Sequence, residues 1–378
     1  MRGSRLLFAL CALGLSVAPA LAQVLPDDRF DVLYHYYDGG GMTIEGPSLL
    51  ARKQIGESVS VSANYYVDSI SGASIDVITT ASPYTEERTE KSVGVDYLRG
   101  GTILSLSYTN STENDYDADT VGINISQVIF GGMTTVSMGY VRGFDKVGRS
   151  DNPDFSADVD RHSWRLGVSQ VLTRNLIAEF AFETISDEGF LNNPYRQMRF
   201  VDPDSARGFS FAPEIYPTTR TSNAASVRGR MHLPYRAAVQ LDYRYYMDDW
   251  GNDGHTAQIG YTHGAFDRWL FDVGYRYHTQ SGADFYADLF PFQSSQNFMA
   301  RDKALSPSTN HTLRVGASYD VLTERRGFVE RSSVSLIYDH ILFRYSDFRD
   351  LRVEAEAGEE PLYQFSANVL QLMLSVWF

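Results

Sequence analysis

Asn368 to Phe378, the last eleven residues of the chain, alternate without a break. Leu370, Leu372, Leu374, Val376 and Phe378 share one face, and Gln371, Met373, Ser375 and Trp377 share the other. A period of two is that of a β-strand, and one side of this strand is apolar along its whole length. Any fold the chain adopts has to give that face an apolar environment up to the final aromatic residue.

At the other end, Arg2 and Arg5 precede an apolar run from Leu6 to Ala18, and Ala20, Leu21 and Ala22 form a small-residue cleavage signature before Gln23. This is the pattern of a secretory signal, so residues 1–22 are expected to be removed and residues 23–378 to form the mature domain. The apolar run is shorter than the ~20 residues a spanning helix needs. Cys11, the sole cysteine, lies inside this segment, so the mature chain is expected to hold no disulfide and no thiolate metal site.

Composition then excludes two classes. With 43% hydrophobic residues and a mean hydropathy of −0.26, the rest of the chain has no apolar run long enough to span a membrane as a helix. A membrane barrel escapes that requirement, because only alternate residues of its strands face lipid. The 24 tyrosines fit such a fold, since a phenol ring can sit in the apolar layer with its hydroxyl in the headgroups. A formal charge of −14 argues against nucleic acid as a partner.

Alternating stretches recur along the whole mature chain. Phe30 to Tyr37 turns at Gly39 to Gly41 into a weaker stretch, Thr43 to Gln54. Lys91 to Leu98 turns at Gly100 and Gly101 into Thr102 to Thr109, and Val121 to Phe130 turns at Gly131 and Gly132 into Thr134 to Arg142. Polar connections divide these hairpins, among them an acidic loop at Asn110 to Asp119 and two long loops near 186–220 and 282–309. Short and long connections alternating over about 16 strands predict an all-β, transmembrane, up-and-down antiparallel barrel, with short turns in the periplasm and the long loops outside.

Parity then assigns the two faces. Phe180, Phe182, Leu241, Tyr243, Val273, Tyr275, Leu313, Val315 and Leu336 are expected to meet lipid. Their alternates are expected to line the lumen, namely Arg165, Glu179, Glu183, Arg228, Arg230, Asp242, Arg244, Asp272, Arg276, Arg314 and Asp320. An Arg on the lipid side at mid-bilayer would cost ~2–4 kcal/mol. Two readings of the charged set stay open. In one, rows of Arg and acid set up a transverse field that orients polar solutes. In the other, Arg228, Arg230 and Arg244 simply pair with Glu179, Glu183 and Asp242 across neighbouring strands.

The long loops carry aromatic surface, including Phe190, Tyr195, Phe200, Phe209, Phe211 and Tyr216 in the first and Phe285, Tyr286, Phe290 and Phe292 in the second. Loops of this length in a compact protein are ordered for a purpose or disordered, and the expectation is that one or both tuck into the mouth. Sites for chemistry are sparse. Asp115, Asp117 and Asp119 alternate, but position six from Asp115 is Thr120 and position twelve is Ser126, so a calcium-binding EF-hand is rejected in favour of solvated loop acids bridged to lipopolysaccharide by divalent cations. The eight histidines have no metal-ligand spacing. His162 beside Ser163 and His340 beside Asp339 would point to opposite faces of a strand, which makes poor triads. No catalytic residue, metal or cofactor is expected, and the chain is read as not an enzyme.

The stretch VSVSANYYVDSISGASIDVITTASPYTEERTE at Val59 to Glu90, with DEGFLNNPYR at Asp187 to Arg196, TRTSNA at Thr219 to Ala224 and RDKALS at Arg301 to Ser306, resembles a family of uncharacterised Gram-negative proteins known as a domain of unknown function. The resemblance covers essentially the whole mature chain and implies a secreted outer-membrane barrel, encoded near flavin-transferase and thioredoxin-like proteins. It brings no site residues. The closing stretch likewise resembles the last strand of Gram-negative outer-membrane barrels, which makes Leu370, Leu372, Leu374, Val376 and Phe378 the expected signal to the barrel assembly machinery. The expected surroundings are outer-membrane lipid and lipopolysaccharide. Two functions stay open: a porin-like passive channel for small polar solutes, and a non-conducting scaffold for a periplasmic or surface partner in an extracytoplasmic redox system.

Overall fold

The computed structural model describes residues 23–72 and 84–378, so the expected signal, residues 1–22, and most of residues 70–86, whose polar sequence predicts a long loop, lie outside it. In chain order the strands are β1 (Arg29–Gly39), β2 (Met42–Ile55), β3 (Val59–Gly72), β4 (Tyr84–Arg99), β5 (Thr102–Thr112), β6 (Tyr116–Ile129), β7 (Thr134–Val147), β8 (Ala157–Thr173) and β9 (Leu176–Gly189). They continue as β10 (Gln197–Val201), β11 (Phe209–Pro213), β12 (Thr219–Leu233), β13 (Ala237–Asp248), β14 (Asp253–Ala265), β15 (Trp269–Gln280), β16 (Ser308–Leu322), β17 (Arg331–Arg349) and β18 (Leu362–Trp377). Sixteen of these close into one antiparallel barrel, and β10 with β11 forms a separate hairpin. Each barrel strand pairs with its sequence neighbours, β9 reaching β12 past the hairpin and β18 closing on β1. Closure leaves no edge with unpaired backbone groups.

The lumenal and outward sets separate as parity dictates. Leu106, Ile123, Leu166, Val227, Leu241, Ile259, Val273, Leu313, Leu336 and Leu372 are exposed around the whole outside of the barrel. An apolar band of that extent is unstable against water and suited to lipid. Its outer border is marked by tyrosines whose hydroxyls reach a polar residue two register positions nearer the outer end of the next strand. Tyr108 donates to Asp119 (2.6 Å) and Tyr338 to Asn368 (2.7 Å), while the hydroxyls of Tyr140, Tyr243 and Tyr275 lie 2.7–2.8 Å from Nδ1 of His162, His255 and His311. Such phenols straddle the boundary between acyl chains and headgroups. The protein is an outer-membrane barrel.

Several connections are shorter than the sequence pattern predicts. The expected loop at Asn110 to Asp119 shrinks to residues 113–115, so Asp117 and Asp119 stand on β6. The outer β1–β2 connection is the expected glycine turn, made by Gly40 and Gly41 at positive φ (62° and 86°), which two residues without Cβ tolerate in a tight hairpin. The long loops run from 190 to 218 and from 281 to 307. The difference has one cause: the backbone ladder continues beyond the lipid, where both faces of a strand are polar and hydrophobic alternation no longer reports it.

The segment before β1 bends into the periplasmic mouth. Gln23 bonds Ser126 on the lumenal face of β6 (3.1 Å), Leu25 is buried, and the Pro26 carbonyl accepts from Gln54 (3.0 Å). From Gln23 to Arg29 the chain spans at most about 20 Å. Five strand spacings of about 4.8 Å, lengthened along the rim by strand tilt, separate β1 from β6, so the segment crosses the mouth instead of following its edge.

Candidate functional site

The lumen has two unlike walls. On β3–β8, small residues face each other across the ladder: Ser62 opposes Gly94, Gly94 opposes Ser107, Ser107 opposes Gly122, and Ser137 opposes Gly167. A Cβ built on Gly94, Gly122 or Gly167 would come within 2.6–2.8 Å of the neighbouring serine hydroxyl, so this surface stays close to the backbone. Ser107 is exposed on it.

The opposite wall carries the charges. Register places Arg165 on β8, Glu179 and Glu183 on β9, Arg228 and Arg230 on β12, Asp242 and Arg244 on β13, Asp272 and Arg276 on β15, and Arg314 and Asp320 on β16, all with lumenal parity. Arg228 pairs with Asp242 on one side and with Glu179 on the other (3.6 Å). Arg244 reaches Glu183 (3.6 Å) across the whole of β12, passing Ala224, which is too small to block it. Arg314 and Asp339 form two parallel bonds of 2.7 Å. Arg230 departs from the expected pairing, since its neighbour in register is Gln240, whose side-chain oxygen accepts at 3.0 Å. The side chains of Arg228, Arg244 and Arg314 are 41–47% exposed and those of Glu179 and Glu183 are 37% and 34% exposed, although every one points inward. The lumen at their level therefore holds solvent instead of packed side chains.

The outer mouth carries folded loops. Leu191 and Tyr216 from 190–218, Trp250 from the β13–β14 tip, and Phe285, Ala300 and Leu305 from 281–307 form one apolar cluster, and Met198, Ala212, Phe290 and Met299 form a second. Beside them several charges are almost fully buried, among them Arg199 (0% exposed), Asp288 (4%), Arg301 (3%) and Glu360 (2%). Arg199 grips Glu360 through two nitrogens (2.6 and 3.0 Å), bonds the Asp288 carboxylate and donates to the Asp288 carbonyl (2.8 Å). Burial alone would raise the Glu360 carboxyl, but the bonds from Arg199 and from backbone amides hold it below the ordinary carboxylate value. Loop 281–307 lies on the inner side of the barrel. Lumen-facing Gln280 donates to the carbonyls of Ala304 and Ser306 (2.8 and 2.9 Å), Tyr286 donates to the Asp347 carbonyl (2.9 Å), and Arg301 stacks on Phe348 (4.2 Å) beside Tyr345 and Tyr363.

Three further groupings bear on chemistry. His35 Nε2 bonds Asp68 (2.7 Å), which also accepts from Tyr66 (2.7 Å), and His35 Nδ1 is buried without a partner among the described residues. Sequence reading missed this trio because 33 residues separate His35 from Asp68. Glu86, Glu113 and Asp115 bring carboxylate oxygens within 4.8 Å of one another, a spacing one divalent cation can span. Asp115 joins these two glutamates instead of Asp117 and Asp119, and it already accepts from Tyr195 and Ser150. His162 and His340 bond Tyr140 and Asn368 on the outer face, whereas Asp339 faces Arg314 in the lumen. Of the closing residues, Leu370, Leu372 and Leu374 are exposed on the lipid face, and the Phe378 ring lies under the Lys53 ammonium (5.0 Å) at the periplasmic rim.

Residues 76–328 match the family described as "Protein of unknown function (DUF3570)". The chain belongs to that family. No curated protein sequence matches the chain. Among solved structures, it is similar to the siderophore receptor PirA from Pseudomonas aeruginosa (10% identity, TM-score 0.44, covering 86% of this chain and 60% of PirA). It is also similar to OmpT, an outer membrane protein of Vibrio cholerae (10% identity, TM-score 0.43, covering 93% and 97%), and to a Pseudomonas aeruginosa FadL homologue (9% identity, TM-score 0.45, covering 93% and 91%). The chain thus spans 60% of the receptor's length and nearly all of OmpT.

Proposed function

We propose that the mature protein, after loss of residues 1–22, is a porin-like passive channel for small polar solutes, narrowed at its outer mouth by the loops at 190–218 and 281–307. The observation that carries this reading is the solvent exposure of the inward charges. Ionised groups facing a dry interior would be desolvated at high cost, and a lumen wide enough to hydrate them is wide enough for small solutes. A wall of Ser and Gly opposite a wall of Arg and acid supplies both the space and the field. We read the protein as a conduit and not as an enzyme.

The test is single-channel recording of residues 23–378 refolded into planar bilayers. Discrete, ohmic steps support the channel. A correctly folded barrel that remains silent overturns it and favours the scaffold reading, with a periplasmic or surface partner to be sought by co-purification.

A further inference from the structure

We propose that the lumen carries a subsite for small organic carboxylates, and that Arg165 and Arg276 are the residues that recognise them. The proposal rests on the channel reading above and names the solute class. A cavity of about 350 Å³ opens in the charged wall between β8 and β15, and both arginines line it. Its three carboxylates are already engaged by arginine: Glu179 and Asp242 by Arg228, and Glu183 by Arg244. Glu183 stands opposite Arg165 in register yet lies within ion-pair distance of Arg244. Arg276 has Gln258 and Thr312 as its cross-strand neighbours. Neither Arg165 nor Arg276 has an acidic partner among the described residues, and both are exposed to the cavity.

The charge left over at this level is therefore cationic: four arginines against three carboxylates in the lining. The rest of the cavity adds neutral donors, among them Gln240, Gln258 and Thr256. A planar carboxylate suits guanidinium groups that offer paired N–H donors, and low-dielectric walls focus the field of uncompensated charges into the path. A chain of net charge −14 is thus built to pass anions at the level of this cavity, because its acids there are paired.

The experiment is a reversal-potential measurement in bilayers under a tenfold KCl gradient, followed by addition of succinate to one side. Native protein is expected to prefer chloride over potassium and to lose chloride current on millimolar succinate. The double variant Arg165→Gln/Arg276→Gln is expected to keep its unit conductance, to shift several-fold towards potassium and to lose the succinate effect. Arg174→Gln, in the exposed turn between β8 and β9 and outside the lumen, serves as the folded control and is expected to change neither. Conductance without anion preference, or a preference and succinate block that survive the double substitution, overturns the subsite while leaving the channel intact. Silence of the native protein overturns the channel and the subsite with it.

Discussion

Arg199→Ala is the sharpest test of how the outer mouth is held. The guanidinium is fully buried and satisfies Glu360, Asp288 and the Asp288 carbonyl at once. Removing it strands the Glu360 carboxylate, which is 2% exposed, while Asp288 keeps its ion pair with Arg301 (2.9 Å). Breaking a buried ion pair by deleting one partner costs about 3–5 kcal/mol, because the remaining charge is neither solvated nor paired. At 1.4 kcal/mol per decade, the population with the loops released rises by a factor of roughly 10² to 10⁴. The barrel itself does not depend on this contact, since its sixteen strands are closed by their own ladder. The expected result is a barrel that still migrates as folded, with proteolytic cleavage appearing within 190–218 or 281–307 and a larger unit conductance. Loops as protease-resistant as in the native protein, with unchanged conductance, would refute the argument that this pair holds the loops over the mouth.

Acid should loosen the same contact. Because the folded Glu360 value is lowered, its contribution is complete above the ordinary carboxylate value of about 4.3 and is lost as pH falls through the folded value, so loop protection should hold at pH 5 and fail well below pH 4. On the barrel wall, Leu241→Arg should destabilise the protein in vesicles by ~2–4 kcal/mol in denaturant titrations, while Gln240→Arg, one residue away but facing the lumen, should change little. Deleting residues 23–27 removes the Gln23 and Pro26 contacts across the periplasmic mouth and should raise unit conductance; equal conductance would show that the segment leaves the path open. In Gly189→Ala the new Cβ would sit 2.1 Å from the Asp158 carbonyl oxygen at a φ of 128°, so loop 190–218 should become more protease-sensitive while β8–β9 pairing persists.

The face of the barrel strands at membrane level was legible in the sequence. Lipid and lumen demand opposite side chains, the strand period is two, and a single charged residue on the wrong side is expensive, so Leu241 and Asp242, or Val315 and Arg314, admit one assignment only. The same logic found the closing strand and a strand number of about 16. It failed above the membrane, where Asp117 and Asp119 continue β6 with polar residues on both sides, and where β10 and β11 fold inside what read as a loop. Partner choice was decided only by tertiary structure. Arg230 met Gln240 instead of an acid, Arg244 crossed a strand to Glu183, and Arg199 found Glu360 161 residues away. Such contacts depend on side-chain reach across two or more backbone segments, and alternation along one segment carries no information about them. Composition fixed the environment of each face, and only closure of the barrel determined which charges were left unpaired within it.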